Sequence, residues 1–236
     1  MGLGPGGRDH LTPAALAALR MADVVVGYRP YLELVSDLLA GKRTVASGMR
    51  EEVPRARAAI AEARRGARVA VVSTGDAGIY GMAGLVMELL PDACDIPVEV
   101  VPGITAASAA AACLGAPLMN DFAAISLSDL LTPWAVIERR LRAAAAGDFV
   151  IALYNPRSGR RHEPLARALA ILRAERPPET PVGVVRNALR AEQTVRLTTL
   201  GALAEAEVDM LTTVIVGNSM TAVRGGRMVT ARGYER

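Results

Sequence analysis

Aromatic residues make up only 3% of this 236-residue chain, and no basic run is interleaved with them. That excludes a single-strand nucleic-acid platform, which stacks successive bases on aromatic rings. Lysine is scarcer still, with Lys42 the sole lysine among 27 basic residues. The two cysteines, Cys94 and Cys113, sit in apolar surroundings without metal-ligand spacing, which reads as buried free thiols in a reducing compartment. Two histidines, His10 and His162, are too few for a histidine metal site, and no metal is expected. No apolar run approaches the roughly 20 residues that span a bilayer, and the amino terminus lacks the charged start and apolar core of a signal peptide. The expectation is a cytoplasmic protein without membrane or nucleic-acid partners. Motifs for hydrolytic or phosphate chemistry are missing too, since there is no G-x-S-x-G elbow, H-E-x-x-H, Walker loop or C-x-x-C.

What is present is a hydrophobic fraction of 51%, enough for one large core or two modest ones, and two domains are expected. The net charge of +3 and a pI near 9.2 rest almost wholly on arginine, which matches carboxylates bidentately and points to an anionic small molecule. High-GC coding enriches Arg and Ala just as well, so the composition alone does not decide between the two.

The chain is organised around Arg68 to Gly84. Arg68 to Ser73 has the valine-rich character of a strand buried on both faces of a parallel sheet. Thr74, Gly75, Asp76, Ala77 and Gly78 then make a small polar turn where a helix should begin, the place where open α/β sheets bind ligands. The competing reading is that Asp76 only caps the next helix and the glycines only turn the corner.

Elsewhere strands and helices alternate. Helices are predicted at Pro13–Met21, Glu51–Arg65 and Tyr80–Leu90, and strands at Val24–Val26, Thr44–Ala46 and Val98–Val101, which implies a parallel first sheet. The charge of the Glu51–Arg65 helix reads as solvated surface. Gly115-Ala116-Pro117 reads as a hinge into a second half, with strands at Phe122–Ser126, Phe149–Tyr154, Val182–Arg186, Gln193–Thr198 and Thr213–Val216. Helices there are expected from Thr132-Pro133 to Ala145, from Pro164 to Arg173 and near Leu200–Glu207, and the second sheet reads as mixed. Gly2, Gly4 and Gly7 formally satisfy G-x-G-x-x-G. However, no strand precedes them, Pro5 removes an amide, and Asp23 precedes the next strand instead of ending it, so the dinucleotide reading fails. A glycine-proline-glycine corner after a mostly missing first strand fits better, which leaves open whether the native start lies upstream of Met1.

The candidate site is therefore a set of small, polar strand ends: Gly4 to Gly6, Thr74 to Asp76, Thr105 to Ala107, Ser126 to Asp129, Asn155 to Ser158 and Asn187. Such a site positions rather than attacks, and suits a reaction whose reactive group comes from a cofactor. On residues alone, a Rossmann-type enzyme and a non-enzymatic ligand sensor stay open.

The stretches G-L-G-P-G, S-T-G-D-A-G-I-Y-G-M-A, V-V-P-G-I-T-A-A, F-A-A-I-S-L-S-D-L-L-T-P-W and I-A-L-Y-N-P-R-S closely resemble the tetrapyrrole methylases of cobalamin biosynthesis, over essentially the whole chain. The last two resemble the C-17-methylating branch in particular. The resemblance implies two α/β domains, residues 1–115 and 118–236, with S-adenosyl-L-methionine bound in the cleft between them, in a homodimer. It implies methyl transfer to C-17 of precorrin-3B or cobalt-factor III with ring contraction, or the reaction of another precorrin methyltransferase. Carried over by motif, the cofactor contacts are Pro5, Thr74, Gly75, Asp76, Ile79, Thr105, Ala106, Tyr154, Asn155 and Ala188. Gly4, Ser126 and Ser128 fall on the substrate side, and Arg29, Arg50 and Arg157 are candidates to pair with the substrate's acetate and propionate groups. Tyr28 and Asp129 are the candidates to move a proton during contraction. This chain departs from its relatives at Tyr28, where uroporphyrinogen methylases carry an acidic residue, and at Gly7, where many carry one after G-P-G.

Overall fold

The valine run at Val69–Val72 forms a strand whose neighbours explain its composition. It belongs to a parallel three-stranded sheet, ordered β2-β1-β3, made by β1 (Val24–Tyr28), β2 (Arg43–Ser47) and β3 (Val69–Val72). Leu3, Leu19, Val25, Leu32, Val35, Ala70 and Val72 form one core cluster. Val24, Val26 and Ala59 form a second, with Val45, Val69 and Val71 packed against it. A strand covered on both faces has no polar side, which is why the run does not alternate.

The structure is a computed structural model, describing residues 1–92, 95–158 and 163–234, so Cys94 and His162 lie outside the described residues. The chain divides into two compact units, Met1–Ala106 and Ala107–Arg236. In the first, α1 (Pro13–Met21) is started by Thr12, whose Oγ1 accepts from Ala15 N at 3.1 Å. Lys42 Nζ donates to Arg20 O at 2.8 Å and Ala22 O at 2.7 Å, closing the carboxyl end of that helix. Then come the short α2 (Arg29–Glu33), α3 (Glu52–Arg64) and α4 (Ala83–Leu89).

The glycine-proline-glycine corner is preceded by extended chain that bridges β3's continuation, with Gly2 parallel to Ser73 and Gly4 antiparallel to Gly75. Three expectations for this unit are corrected. Val98–Val101 forms no strand: Val101 O accepts from Gly2 N at 2.9 Å, but Val98 and Val100 are exposed, and Pro97 and Pro102 remove donors on either side. The helix predicted from Tyr80 starts only at Ala83, because Tyr80 has φ 55° and its neighbour Gly81 lies against Ala77 O. Nor is α3's charge all solvated, for Arg55 is 5% exposed.

In the second unit α5 (Ala106–Leu114) leads into β4 (Gly115–Ala116), β5 (Phe122–Ser126), α6 (Trp134–Ala146), β6 (Val150–Tyr154), α7 (Glu163–Glu175), β7 (Pro181–Arg186), β8 (Thr194–Thr199) and β9 (Thr212–Val216). The sheet is mixed, ordered β5-β6-β9-β7-β8, with β5 parallel to β6 and the other pairs antiparallel. Ile137, Leu141, Leu169 and Leu172 from α6 and α7 pack with Leu153, Val182, Val184 and Val214. Ala107, Ala110 and Leu114 from α5 pack with Val150, Ala152, Val185 and Ile215 in another cluster. Arg176, 7% exposed, ties this unit's loops by donating to Gly217 O and Phe149 O, each at 2.5 Å. Burial pulls its guanidinium below the ordinary arginine value.

The helix expected near Leu200–Glu207 is a single 3-10 turn, Leu203–Glu205. A hairpin not expected from sequence closes the chain, formed by β10 (Thr221–Arg224) and β11 (Arg227–Thr230), with β11 parallel to β4.

Candidate functional site

In the first unit the site is built on backbone contacts between glycine-bearing turns. Gly4 N donates to Gly75 O at 3.0 Å and Gly75 N to Gly4 O at 2.7 Å, so the corner carrying Pro5 lies against the turn after β3. Gly75 has φ 65°, in the left-handed region. A Cβ built on it would stand 3.7 Å from Ala106 N and 3.8 Å from Ile104 O. Asp76 organises the loop: its Oδ1 accepts from Gly78 N at 2.7 Å and Ile79 N at 3.2 Å, and its Oδ2 from Gly103 N at 2.9 Å. One carboxylate thus fixes the turn after β3 and the segment leading into α5. Gly4, Pro5, Thr74, Gly75, Asp76, Ile79, Thr105 and Ala106 fall in this one group.

Tyr28, Arg29 and Arg50 form a different group at the carboxyl ends of β1 and β2, where Tyr28 pairs in register with Ser47. The Tyr28 ring meets that of Tyr31 edge-on, with centroids 5.1 Å apart. Arg29 and Arg50 are exposed, and Arg50 has φ 66°.

The second unit repeats the pattern with polar side chains. Ser126 Oγ, at the end of β5, accepts from Ser128 N at 3.2 Å and from Asn155 Nδ2 at 3.0 Å. Asn155 follows β6 with φ 51°, a left-handed conformation that asparagine tolerates better than most residues. Tyr154 accepts at its hydroxyl from Ala107 N at 2.9 Å, near the start of α5. Tyr154 and Ala188 pack against the same cluster. Asp129 is exposed one residue beyond Ser128, and Arg157 is half-buried two beyond Asn155.

Two contributors escaped the sequence reading. Ser73, 3% exposed, accepts at Oγ from Met82 N at 3.1 Å, and its place directly after the valine run was the available signal. Arg55 is the other, and an arginine on a charged helix gives no signal of burial. The arrangement offers amide donors, carbonyl and hydroxyl acceptors and an internally engaged carboxylate. Among the described residues no group of three His, Cys, Asp or Glu side chains is placed to hold a metal ion. What the geometry can do is bind and orient.

A family model described as Tetrapyrrole (Corrin/Porphyrin) Methylases matches residues 1–204. A cobalt-factor III methyltransferase from Priestia megaterium is 47% identical over 241 residues, covering 100% of this chain and 45% of its own length, so the chain spans less than half of that relative. A probable cobalt-factor III C(17)-methyltransferase from Salmonella typhimurium is 52% identical over 235 residues, covering 99% of this chain and 98% of that protein. The crystal structure of the methyltransferase CobJ has a TM-score of 0.91 at 41% identity, with 98% of this chain and 97% of that one covered. A uroporphyrin-III C-methyl transferase from Thermus thermophilus, complexed with S-adenyl homocysteine, has a TM-score of 0.68 at 28% identity, covering 92% and 95%. A family match over most of the chain, and relatives that align along nearly all of it, establish that this chain belongs to the tetrapyrrole (corrin/porphyrin) methylases.

Proposed function

We propose that this chain transfers the methyl group of S-adenosyl-L-methionine to C-17 of cobalt-factor III, or of its metal-free counterpart precorrin-3B, with ring contraction, in cobalamin biosynthesis. The observation that carries the reading is the end-to-end match with the Salmonella relative named for that reaction. The first unit's residues fit the cofactor. Gly75 without a Cβ leaves open a face of backbone bordered by Ala106 N and Ile104 O, which offers a donor and an acceptor beside one another. Bound there, S-adenosyl-L-methionine would supply an electrophilic methyl group, with its thioether as the leaving group.

The chain's own residues then orient and exclude water. In the first unit Pro5, Thr74, Gly75, Asp76, Ile79, Thr105 and Ala106 hold the cofactor, with Asp76 keeping its loop shaped through three amides. In the second Tyr154, Asn155 and Ala188 do so. Gly4, Ser126 and Ser128 face the substrate, and Arg29, Arg50 and Arg157 pair with its carboxylates. Tyr28 and Asp129 hold or move the proton that ring contraction requires. The chain acts in the cytoplasm as a homodimer, a reading supported by the family resemblance and checked by light scattering.

The test incubates the purified chain with methyl-labelled S-adenosyl-L-methionine and either tetrapyrrole, and follows label into the macrocycle by mass spectrometry. Transfer to one or both is expected. Failure with both, while S-adenosyl-L-homocysteine binds, overturns the proposal. Asp129→Asn should keep the affinity for S-adenosyl-L-homocysteine and lose turnover, and unchanged turnover removes Asp129 from the mechanism.

A further inference from the structure

A guanidinium taken out of water costs several kcal/mol unless its charge is balanced. Arg55 projects from α3, whose buried face also carries Ala56, Ala59 and Ile60, and among the described residues no carboxylate pairs with it. All its partners are neutral. Its Nε donates to Ser47 Oγ at 2.6 Å and its Nη2 to Gly48 O at 2.8 Å. Its Nη1 reaches Met82 Sδ at 3.6 Å, and its Cζ stands 5.8 Å from the centre of the Tyr28 ring.

These partners occupy the carboxyl end of the whole first sheet. Tyr28 ends β1 and Ser47 ends β2, in register with one another. Gly48 opens the turn that carries Arg50, and Gly48 N in turn donates to Glu51 Oε2. Met82 closes the loop that begins at Ser73, through its amide bond to Ser73 Oγ, and that loop contains Thr74, Gly75 and Asp76. A single planar fork therefore joins the group read as substrate-side, Tyr28 and the turn before Arg50, to the loop read as cofactor-side. Lysine presents one point charge and cannot make these directed bonds together.

We propose that Arg55 is a positioning residue for methyl transfer. It sets Tyr28 and the Ser47–Arg50 turn relative to the Ser73–Met82 loop, and its positive charge, with no carboxylate paired directly to it among the described residues and Glu51 held instead by Gly48 N, favours a polycarboxylate at this sheet edge. This rests on the reading of Tyr28 and Arg50 as substrate-side residues. The charge acts through the low-dielectric interior, where screening by salt is weak.

The experiment compares wild type, Arg55→Lys and Arg55→Met in the full chain. It measures kcat and KM for the tetrapyrrole, the Kd of S-adenosyl-L-homocysteine by calorimetry, and the urea midpoint. Arg55→Lys keeps the charge and loses the fork, so kcat falls about tenfold by misplacement while KM and the Kd stay within about twofold. Arg55→Met loses both, so the tetrapyrrole KM also rises, by about tenfold, the change expected from roughly 1.4 kcal/mol of lost attraction. Kinetic constants unchanged in both variants overturn the proposal, as does a Kd that weakens in step with kcat, the mark of a merely structural arginine. Should Arg55→Met not fold, Arg55→Lys decides by the same criteria. If the wild type transfers no methyl group, the function proposed above fails by itself. An absorbance titration of the tetrapyrrole then decides Arg55 separately: weaker binding by Arg55→Met sustains the charge role and equal binding overturns it.

Discussion

Replacing Gly103 by alanine tests whether the cofactor-side loop is held by close backbone packing. A Cβ on Gly103 would lie 2.9 Å from both Gly2 C and Gly2 Cα, and nearer still to Gly75 O, inside the 3.0 Å that real Cβ atoms respect. Every clashing atom is backbone, so none swings aside, and the three chain segments must part. Parting them strains the bond from Gly103 N to the Asp76 carboxylate, about 2 kcal/mol for a charge-assisted bond. It also strains the Gly2 N to Val101 O bond and the reciprocal Gly4–Gly75 pair, together about 2 kcal/mol if partly lost. The total of about 4 kcal/mol lowers a urea midpoint by about 2 M at a slope of roughly 2 kcal/mol per M. Gly75→Ala is the control. Its Cβ meets only ordinary contacts beyond 3.4 Å, and it costs only the left-handed backbone, about 1–2 kcal/mol. Urea titration by far-ultraviolet circular dichroism ranks the two, and affinity for S-adenosyl-L-homocysteine should fall in Gly103→Ala. A midpoint shift in Gly103→Ala no larger than in Gly75→Ala would refute the packing argument.

Two further outcomes follow from bonds in the second unit. Burial pushes the Asp209 carboxyl up, but hydrogen bonds from Arg186, Thr212 and Leu211 outweigh it and hold the group below its ordinary 3.8. Its stabilising contribution is thus present above that value and is lost as pH falls through the lower folded one. The stability gap between wild type and Asp209→Asn should be full at pH 7 and shrink on acidification towards pH 3, and a gap that widens on acidification contradicts the assignment. Tyr154→Phe removes the acceptor for Ala107 N and should cost about 1 kcal/mol, read as a lower thermal midpoint; an unchanged midpoint means water serves that amide equally well.

Elements with a one-dimensional signal were legible. The Val69–Val72 run announced a doubly covered strand, Thr12-Pro13 announced a helix start that Thr12 does cap, and the parallel first sheet and mixed second sheet follow the predicted order of elements. Val98–Val101 misled because a valine-rich run signals burial only if partners exist, and flanking prolines withhold donors. The Gly225–Gly226 turn was a missed hairpin signal: both residues have positive φ, 54° and 73°, as a two-residue hairpin turn requires. At the site, glycine and asparagine corners could be read because backbone demands select those residues. Arg55 could not, since its burial is decided by three distant segments folding over it, and a helical arginine looks the same in sequence whether it faces water or the interior.

One small feature governs how this molecule can be handled on the bench. Lys42 is the only side chain bearing a primary amine, and that amine is occupied with Arg20 O and Ala22 O. Among side chains, acylating dyes, biotin esters and aldehyde fixatives therefore have a single address, and acylation there leaves one N–H donor where two now latch the first helix to Arg20 O and Ala22 O. Arginine keeps the rest of the surface cationic throughout, and coupling through an introduced surface thiol leaves that latch closed.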